Sequence, residues 1–444
     1  MNLFKLFVYL NEKREGNRRL YYLKEIGNIL NSDINVINNY QLYHLQNIIN
    51  FSYNNIEFYR KRFDKCNVSP TDVKSTSDLI RFPVLEKDDI RNNLDSMLYK
   101  GLSKYNLIKT ATGGTTASPV TLYVDRESWA KRRAATLFFY KWFNYEIGDK
   151  IAYLWGAEQD FSSNDSIKQS IRNALIDRSL CLQSSYLNDE IMRNHYDRLA
   201  KFKPNVLQAY PTPLFLFANF MKKYNLRLNI EIINVTAEYL YDYQREVIED
   251  VFKTKIYNWY GARELGHVAT ECSEHFGMHI NMSGLFIEVI NNGKQVVGEN
   301  GYLVITDLLN KAMPLIRYRI GDIGNISNRI CKCGSALTIL ESIEGRYVDT
   351  FMKMDGSFIP GVAFTNRIIS ECKGIRELQI VQKNYKIFHL NIVKGEQYLE
   401  IDLEYLKQKI SSFMHDNIDY EVSFVSKIPT EKSGKVRFCK SEMH

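Results

Sequence analysis

The chain has 444 residues, 45% of them hydrophobic and 25% charged, and 58 Lys+Arg against 51 Asp+Glu give a net charge of +7. That length exceeds one ordinary core and predicts at least two domains, while the charge surplus is too small for a nucleic-acid footprint and suits a cleft for an anionic small molecule. Seven cysteines, at 66, 181, 272, 331, 333, 372 and 439, are an odd number in a large chain, which argues against a disulfide framework and fits a reducing cytoplasm.

The opening stretch Met1–Leu10 is apolar but short and broken by Lys5. No small-x-small cleavage site follows, so it is expected to pack as a helix and not to act as a signal peptide. No uncharged run is long enough to span a bilayer. Residues up to about Asp64 read as helices, with Leu42, Leu45, Ile49, Tyr53 and Ile56 at helical spacing and Tyr59-Arg60-Lys61-Arg62 closing the last turn with positive charge. Phe82-Pro83-Val84-Leu85-Glu86-Lys87-Asp88-Asp89-Ile90 predicts a proline-marked approach and then the acidic first turn of another helix.

Val120–Val124 alternates β-branched and aromatic residues as a strand, and Glu127–Tyr145 is a helix. Strands are then expected at Lys150–Trp155, Asn205–Tyr210 and Ile230–Val235, and helices at Ile191–Phe202, Pro213–Tyr224 and Tyr241–Phe252. This alternation predicts α/β layering on a largely parallel sheet. The texture changes at Leu285–Ile290, Asn291-Asn292-Gly293 and Tyr302–Thr306, which read as strands around turns, Asn-Gly favouring a hairpin. Beyond about Arg346 a hairpin (378–382 with 387–393), an amphipathic helix through Leu403, Leu406, Ile410, Phe413 and Met414, and a strand at Glu421–Val425 predict a small α+β module.

Five clusters carry chemistry. Lys109–Pro119 contains Thr112-Gly113-Gly114-Thr115-Thr116, whose glycines free the backbone and whose hydroxyls and amides can wrap phosphate oxygens. No lysine follows the glycines, so this is not the nucleotide loop ending in Gly-Lys-Ser/Thr. In Trp259-Tyr260-Gly261-Ala262-Arg263-Glu264 an aromatic before a glycine can cover a flat base, and a carboxylate beyond it can hold Mg²⁺. Pro314–Asp322 exposes Asp322 after a glycine, placed to accept from both ribose hydroxyls. Gly345-Arg346 ends the large domain. Thr430–Arg437 is a basic, Gly-centred loop that can deliver Lys435 to a carboxylate or phosphate.

A second pattern pairs Cys272-x6-His279 with Cys331-Lys332-Cys333-Gly334. Three thiolates and an imidazole make a closed tetrahedral zinc set without an open position, hence a structural one. His275 is a rival to His279.

Together, in this order, the five clusters resemble the adenylate-forming ligase superfamily, and within it the phenylacetate–CoA ligase branch and its CapK-like relatives encoded with capsular polysaccharide genes. The resemblance covers nearly the whole chain, including Phe82–Asp88. It implies a large N-terminal α/β domain (1–345) holding ATP and the acyl group, and a small C-terminal α+β domain (346–444) on a hinge. It further implies a phosphate loop at Thr112, Gly113, Gly114, Thr115 and Thr116, and Thr236-Ala237-Glu238 at the edge of the adenine and acyl sites. Tyr260, beside Gly261, would stack on adenine, Glu264 would take Mg²⁺, Asp322 would bind ribose and Arg346 ribose or phosphate. Lys435 would bridge the substrate carboxylate and ATP.

Trp155, Tyr210, Pro211 and Glu238 are expected around the acyl pocket, since aromatics line such pockets. The implied reaction makes an acyl-adenylate from ATP and a small carboxylic acid. The acyl group then passes to coenzyme A thiol or, alternatively, to an amine of a surface polysaccharide. A catalytically silent nucleotide-binding homologue is the third reading, and the phenylacetate branch suggests a homodimer. Three positions depart from the pattern. Ala117 replaces a usual glycine, Arg263 a usual Ser or Thr, and Val348 precedes Asp349 where two acidic residues often stand, which leaves the hinge residue open.

Overall fold

The computed structural model describes residues 8–10, 12, 18–111, 120–155, 178–184, 187–346, 350–354, 358–360, 374–414, 418–428 and 439–443. Thr112–Thr116, Ala117, Val348, Asp349 and Lys435 therefore lie outside the described residues. Helices Arg19–Leu30, Ile34–Asn55 and Glu57–Lys65 open the fold. Asp33 caps the second of these by accepting from the amides of Asn35 and Val36. The expected single helix through Arg62 is broken at Ile56, which is extended at φ −126°, ψ 113°. The side-chain amides of Asn54 and Asn55 bond back to the carbonyls of Asn50 and Phe51, and a new helix starts at Glu57. Lys87–Asn92 forms the anticipated helix, with Asp88 and Asp89 in its first turn and Glu86 in a capping box with Asp89.

Strands β1 (Leu107–Ala111) and β2 (Thr121–Asp125) pair antiparallel. Asp125 then caps helix Arg126–Tyr140 by accepting from the Ser128 amide. Next come β3 (Ile151–Trp155), β4 (Ser179–Gln183), β5 (Val206–Ala209), β6 (Ile232–Val235) and β7 (Ile256–Ala262), which run parallel in the order β4-β3-β5-β6-β7. The sheet continues antiparallel from β7 through β8 (Gly266–Glu271), β9 (Met278–Ile280), β14 (Ile339–Arg346), β13 (Tyr318–Ser327), β12 (Gly301–Asp307) and β10 (Leu285–Asn291) to β11 (Lys294–Gln295). Twelve strands among the described residues thus form one mixed sheet. The Asn292-Gly293 turn, with both φ positive (48° and 75°), joins β10 to β11, so the expected hairpin is short and β10 takes β12 as its main partner.

The two faces of the parallel half differ. Leu154, Leu207, Ala209, Ile233 and Val235 lie in a core with residues of helices Asp189–Phe202, Pro211–Lys223 and Asp242–Phe252. Alternation sends Tyr153, Gln208, Asn234 and Tyr257 to the opposite face, where Tyr140 and Phe143 sit. A larger core joins the N-terminal helices, helix Arg126–Tyr140 and the antiparallel half.

At the C-terminal end, β15 (Thr350–Met352) pairs with β16 (Phe358–Pro360). The antiparallel hairpin β17 (Ile375–Gln382) and β18 (Ile387–Lys394) is flanked by β19 (Asp419–Phe424) and β20 (Cys439–Ser441), each parallel to its neighbour. Leu403, Leu406, Ile410 and Met414 of helix Glu400–Met414 pack with Leu378, Phe388 and Leu390 in a separate core. Each such fully buried side chain contributes about 1.5–3 kcal/mol. Among the described residues no helix is long and apolar enough to cross a membrane.

Candidate active site

In open parallel sheets, ligands gather at the carboxyl ends of the strands. Here that rim carries Trp155 at the end of β3, Tyr210 just after β5, Thr236-Ala237-Glu238 just after β6, and Tyr260 near the end of β7. The rings of Trp155 and Tyr210, two of the residues expected around an acyl pocket, lie 4.4 Å apart at 48°. Glu238 accepts from the Thr212 amide at 3.0 Å, at the first turn of helix Pro211–Lys223, where the helix dipole favours a carboxylate. Ala237 takes φ +72°, a left-handed conformation uncommon for a residue with a side chain, and swings Glu238 back toward that helix.

Consecutive residues of β7 serve opposite sides. The Trp259 ring lies over Gly261: a Cβ there would come within 2.3 Å of it, so position 261 accepts only glycine without moving the indole. Trp259 stacks on His267 (4.8 Å, 1°), which stacks on Phe139 (4.8 Å, 5°). Burial alone pushes the His267 imidazole from 6.5 down to about 3, so it sits neutral in this stack.

Tyr260 points the other way, and its hydroxyl donates to Asp322 of β13. Gly321, at φ +93°, turns the chain just ahead of that carboxylate. Asp322 is in register with Arg346, the last residue of β14, so the backbone places the expected arginine beside the expected ribose ligand. Glu264, nearly buried in the turn between β7 and β8, lies 3.4 Å from the hydroxyl of the buried Tyr318, four residues before Asp322 on the same strand.

Two supports escaped the sequence reading. Arg317 is buried at φ +50°, pairs with Glu288 at 2.9 Å and donates to the carbonyls of Ile80 and Phe82. Leu85 then bonds to both sides of Tyr318, its amide to the Arg317 carbonyl and its carbonyl to the Arg319 amide. The Phe82–Glu86 stretch thus buttresses the strand bearing Asp322. Asn310 clamps β2 to the loop before this strand, donating to the Tyr123 carbonyl at 2.9 Å and accepting from the Asp125 amide at 3.3 Å. The hairpin that brackets the Gly/Thr turn is therefore tied to the Asp322 side of the sheet. Neither support has a local signal, because the backbone groups that Arg317 and Asn310 reach in the N-terminal part of the chain lie 185 or more positions away.

The ligating atoms of Cys272, His279, Cys331 and Cys333 all lie within 4.8 Å of one another. Cys272 Sγ is 3.6 Å from Cys331 Sγ, and Cys333 Sγ is 3.4 Å from His279 Nε2. The edge of a tetrahedral zinc–thiolate site is about 3.8 Å when Zn–S is about 2.3 Å. Burial pushes the Cys272 thiol up to about 12 and raises that of Cys333, so a bound cation is what would hold these sulfurs as thiolates. His275 takes no part, lying instead 3.1 Å from Glu271 and 3.4 Å from Arg245. His279 of β9 is in register with Thr270 of β8 and Ile339 of β14, so the cluster ties the Tyr260 hairpin to the strands around Asp322.

Residues 351–442 match the family model of the CapK C-terminal domain. Protein CapK of Staphylococcus aureus is 25% identical over 408 residues, 90% of this chain and 89% of its own length. A phenylacetate-coenzyme A ligase of Thermus thermophilus is 24% identical over 326 residues, 69% of each chain. Among solved structures, 2-hydroxyisobutyryl-CoA ligase in the postadenylation state with R3-HIB-AMP superposes with a TM-score of 0.73 at 17% identity, covering 93% of this chain and 91% of that one. The same ligase in its thioesterification state, with 2-HIB-AMP and CoA, gives 0.61 at the same coverage. The chain is thus a homologue of CapK and of the phenylacetate-coenzyme A ligases, built on the fold of the adenylate-forming CoA ligases.

Proposed function

We propose that the chain is an ATP-dependent ligase that activates a small carboxylic acid as its acyl-adenylate and passes the acyl group to the thiol of coenzyme A. The observation that carries this reading is the meeting of Tyr260 and Asp322 at the carboxyl rim of the parallel strands, the rim that also bears the Trp155–Tyr210 pair. In the first step a carboxylate oxygen attacks the α-phosphorus of ATP and pyrophosphate leaves. Tyr260 covers the adenine, Asp322 accepts from the ribose hydroxyls, and Arg346 adds positive charge nearby. Thr112, Gly113, Gly114, Thr115 and Thr116 donate to the phosphates, and Lys435 neutralises charge as it builds on the attacking carboxylate and α-phosphate. Glu264 would hold a Mg²⁺, which would offset pyrophosphate charge.

The division into 1–345 and 346–444, with the second part turning about a hinge to withdraw Lys435, suits two successive reactions at one site. The separate C-terminal core supports it, as does the better superposition on one catalytic state of the 2-hydroxyisobutyryl-CoA ligase than on the other. Cys272, His279, Cys331 and Cys333 would hold a structural zinc. Three thiols poised for a metal suit a reducing cytoplasm, and a homodimer is the expected assembly.

A second reading keeps the first step and changes the acceptor to an amine, giving an amide. Its ground is the resemblance to CapK-like relatives encoded with capsular polysaccharide genes, CapK being matched over 90% of this chain. Isotopic ATP–pyrophosphate exchange with a panel of carboxylic acids tests both readings. Acid-dependent exchange with loss of free CoA thiol is the expected result; exchange with an amine-dependent product selects the second reading. ATP binding without exchange for any acid marks a silent homologue and overturns both.

A further inference from the structure

Packing alone does not explain the polar side chains on the Tyr140 face of the parallel strands. Tyr153, Gln208, Asn234 and Tyr257 form one row across β3, β5, β6 and β7. The row lies two residues, about 6.6 Å of strand rise, beneath Trp155, Tyr210, Thr236 and Trp259 at the rim. Interior positions of parallel strands ordinarily carry Val, Ile or Leu. Instead Gln208 is 5% exposed and Asn234 is 0% exposed. The hydroxyl of the buried Tyr140 donates to Gln208 Oε1. Asn234 lies within hydrogen-bonding reach of the same hydroxyl, and among the described residues its amide oxygen has no partner. The indole Nε1 of Trp259, on the same side of the sheet, is also buried and has no partner among the described residues.

Buried polar groups in native proteins are paired, so an amide oxygen and an indole N–H left open behind an aromatic rim call for a partner from outside the chain. We propose that Asn234 and Trp259 recognise a hydrogen-bonding substituent on the far end of the acyl group, so that the pocket selects an acid with a hydroxyl or amino group remote from its carboxylate. The inference rests on the carboxylate-activating reading and names the class of acid. Asn234 Oδ1 can only accept, and Trp259 Nε1 can only donate. A hydroxyl within reach of both would donate to the first and accept from the second. A hydrocarbon tail would reach the same depth and leave both atoms unpaired, which sites built to hydrogen-bond a substrate reject strongly. Gln208, committed to Tyr140, positions that phenol and is not itself the reader.

The test is a set of matched acids that differ only at the far end: phenylacetate against 4-hydroxyphenylacetate, and hexanoate against 6-hydroxyhexanoate. In pyrophosphate exchange the polar member should be favoured by about tenfold or more in kcat/KM. Asn234→Leu should erase that ratio, chiefly through KM for the acid, and Trp259→Phe, which keeps a ring in the His267 stack, should reduce it. Equal or better use of the hydrocarbon member by the unaltered protein overturns the proposal. So does an unchanged ratio in both variants, which would mean that ordered water satisfies the pocket. Calorimetric binding of the same acids reads the pocket without catalysis. Polar preference there sustains the inference even if no acid supports exchange, an outcome that would sink the ligase reading alone. Binding of both members without preference overturns the inference while leaving the ligase reading to the exchange assay.

Discussion

The Tyr260 hydroxyl donates to the Asp322 carboxylate, linking β7 to β13 across 62 positions of sequence. The phenol both presents its ring and steadies the carboxylate that would bind ribose. Tyr260→Phe keeps the ring and removes the donor, so KM for ATP should rise by about threefold to tenfold, one neutral or charge-assisted hydrogen bond. Asp322→Ala should cost far more. Initial-rate pyrophosphate exchange over a range of ATP concentrations measures both, and an unaltered KM in Asp322→Ala would remove the carboxylate from the site.

His267 makes stability depend on pH. Its folded-state value is pushed down to about 3 from 6.5 by burial, so the unfolded chain binds a proton that the folded chain refuses between these values. The stabilising contribution is therefore complete above about pH 6.5 and falls by roughly 1.4 kcal/mol per pH unit as the pH drops toward 3. Urea unfolding at pH 7 and pH 5 should show the loss. His267→Phe, which keeps the stack with Trp259 and Phe139, should be less sensitive to acid over that interval.

The cysteine cluster should bring about one zinc with each purified chain. Cys331→Ser, or prolonged chelation, should release it and lower the midpoint of thermal unfolding by several degrees, because metal affinity is linked to folding. Elemental analysis alongside calorimetry decides the matter; a metal-free native protein with the same melting temperature would show that the four side chains only pack together.

Arg132 and Asp307 are paired at 2.6 Å with 7% and 1% of their side chains exposed. Asp307 also accepts from the amides of Leu309 and Asn310, shaping the loop through which Asn310 holds β2. Arg132→Met should lower stability by about 3–5 kcal/mol, the usual result of stranding one buried charge. Equilibrium unfolding in urea measures it.

Lys435→Ala should abolish adenylation while sparing acyl transfer from a supplied acyl-adenylate. Exchange and single-turnover transfer assays separate the steps, and an equal loss in both would contradict the role proposed for this lysine.

Much of this architecture was legible because runs such as Ile151–Trp155 and Ile232–Val235 are short, β-branched or aromatic, and separated by helical patterns. The Cys-x-Cys and Cys-x6-His spacings likewise marked four residues that do converge. Gly266–Glu271 was not legible as a strand: glycine, alanine and glutamate are depleted in strands, and pairing with β7 and β9 fixes the run. The helix break at Ile56 was hidden by an apolar stripe that continues through it. Asn234 carried no signal of its own within Ile230–Val235, because its surroundings come from β5, β7 and helix Arg126–Tyr140, none adjacent in sequence.

Trp259 and Tyr260 face opposite ways from one backbone, so the wall between the proposed acid and nucleotide compartments is a single strand thick. An ill-fitting acid would press on the indole, shift β7 and displace the phenol on the far side. Discrimination among acids should then register as weakened hold on ATP, giving the molecule a built-in way to verify one substrate by how well it retains the other.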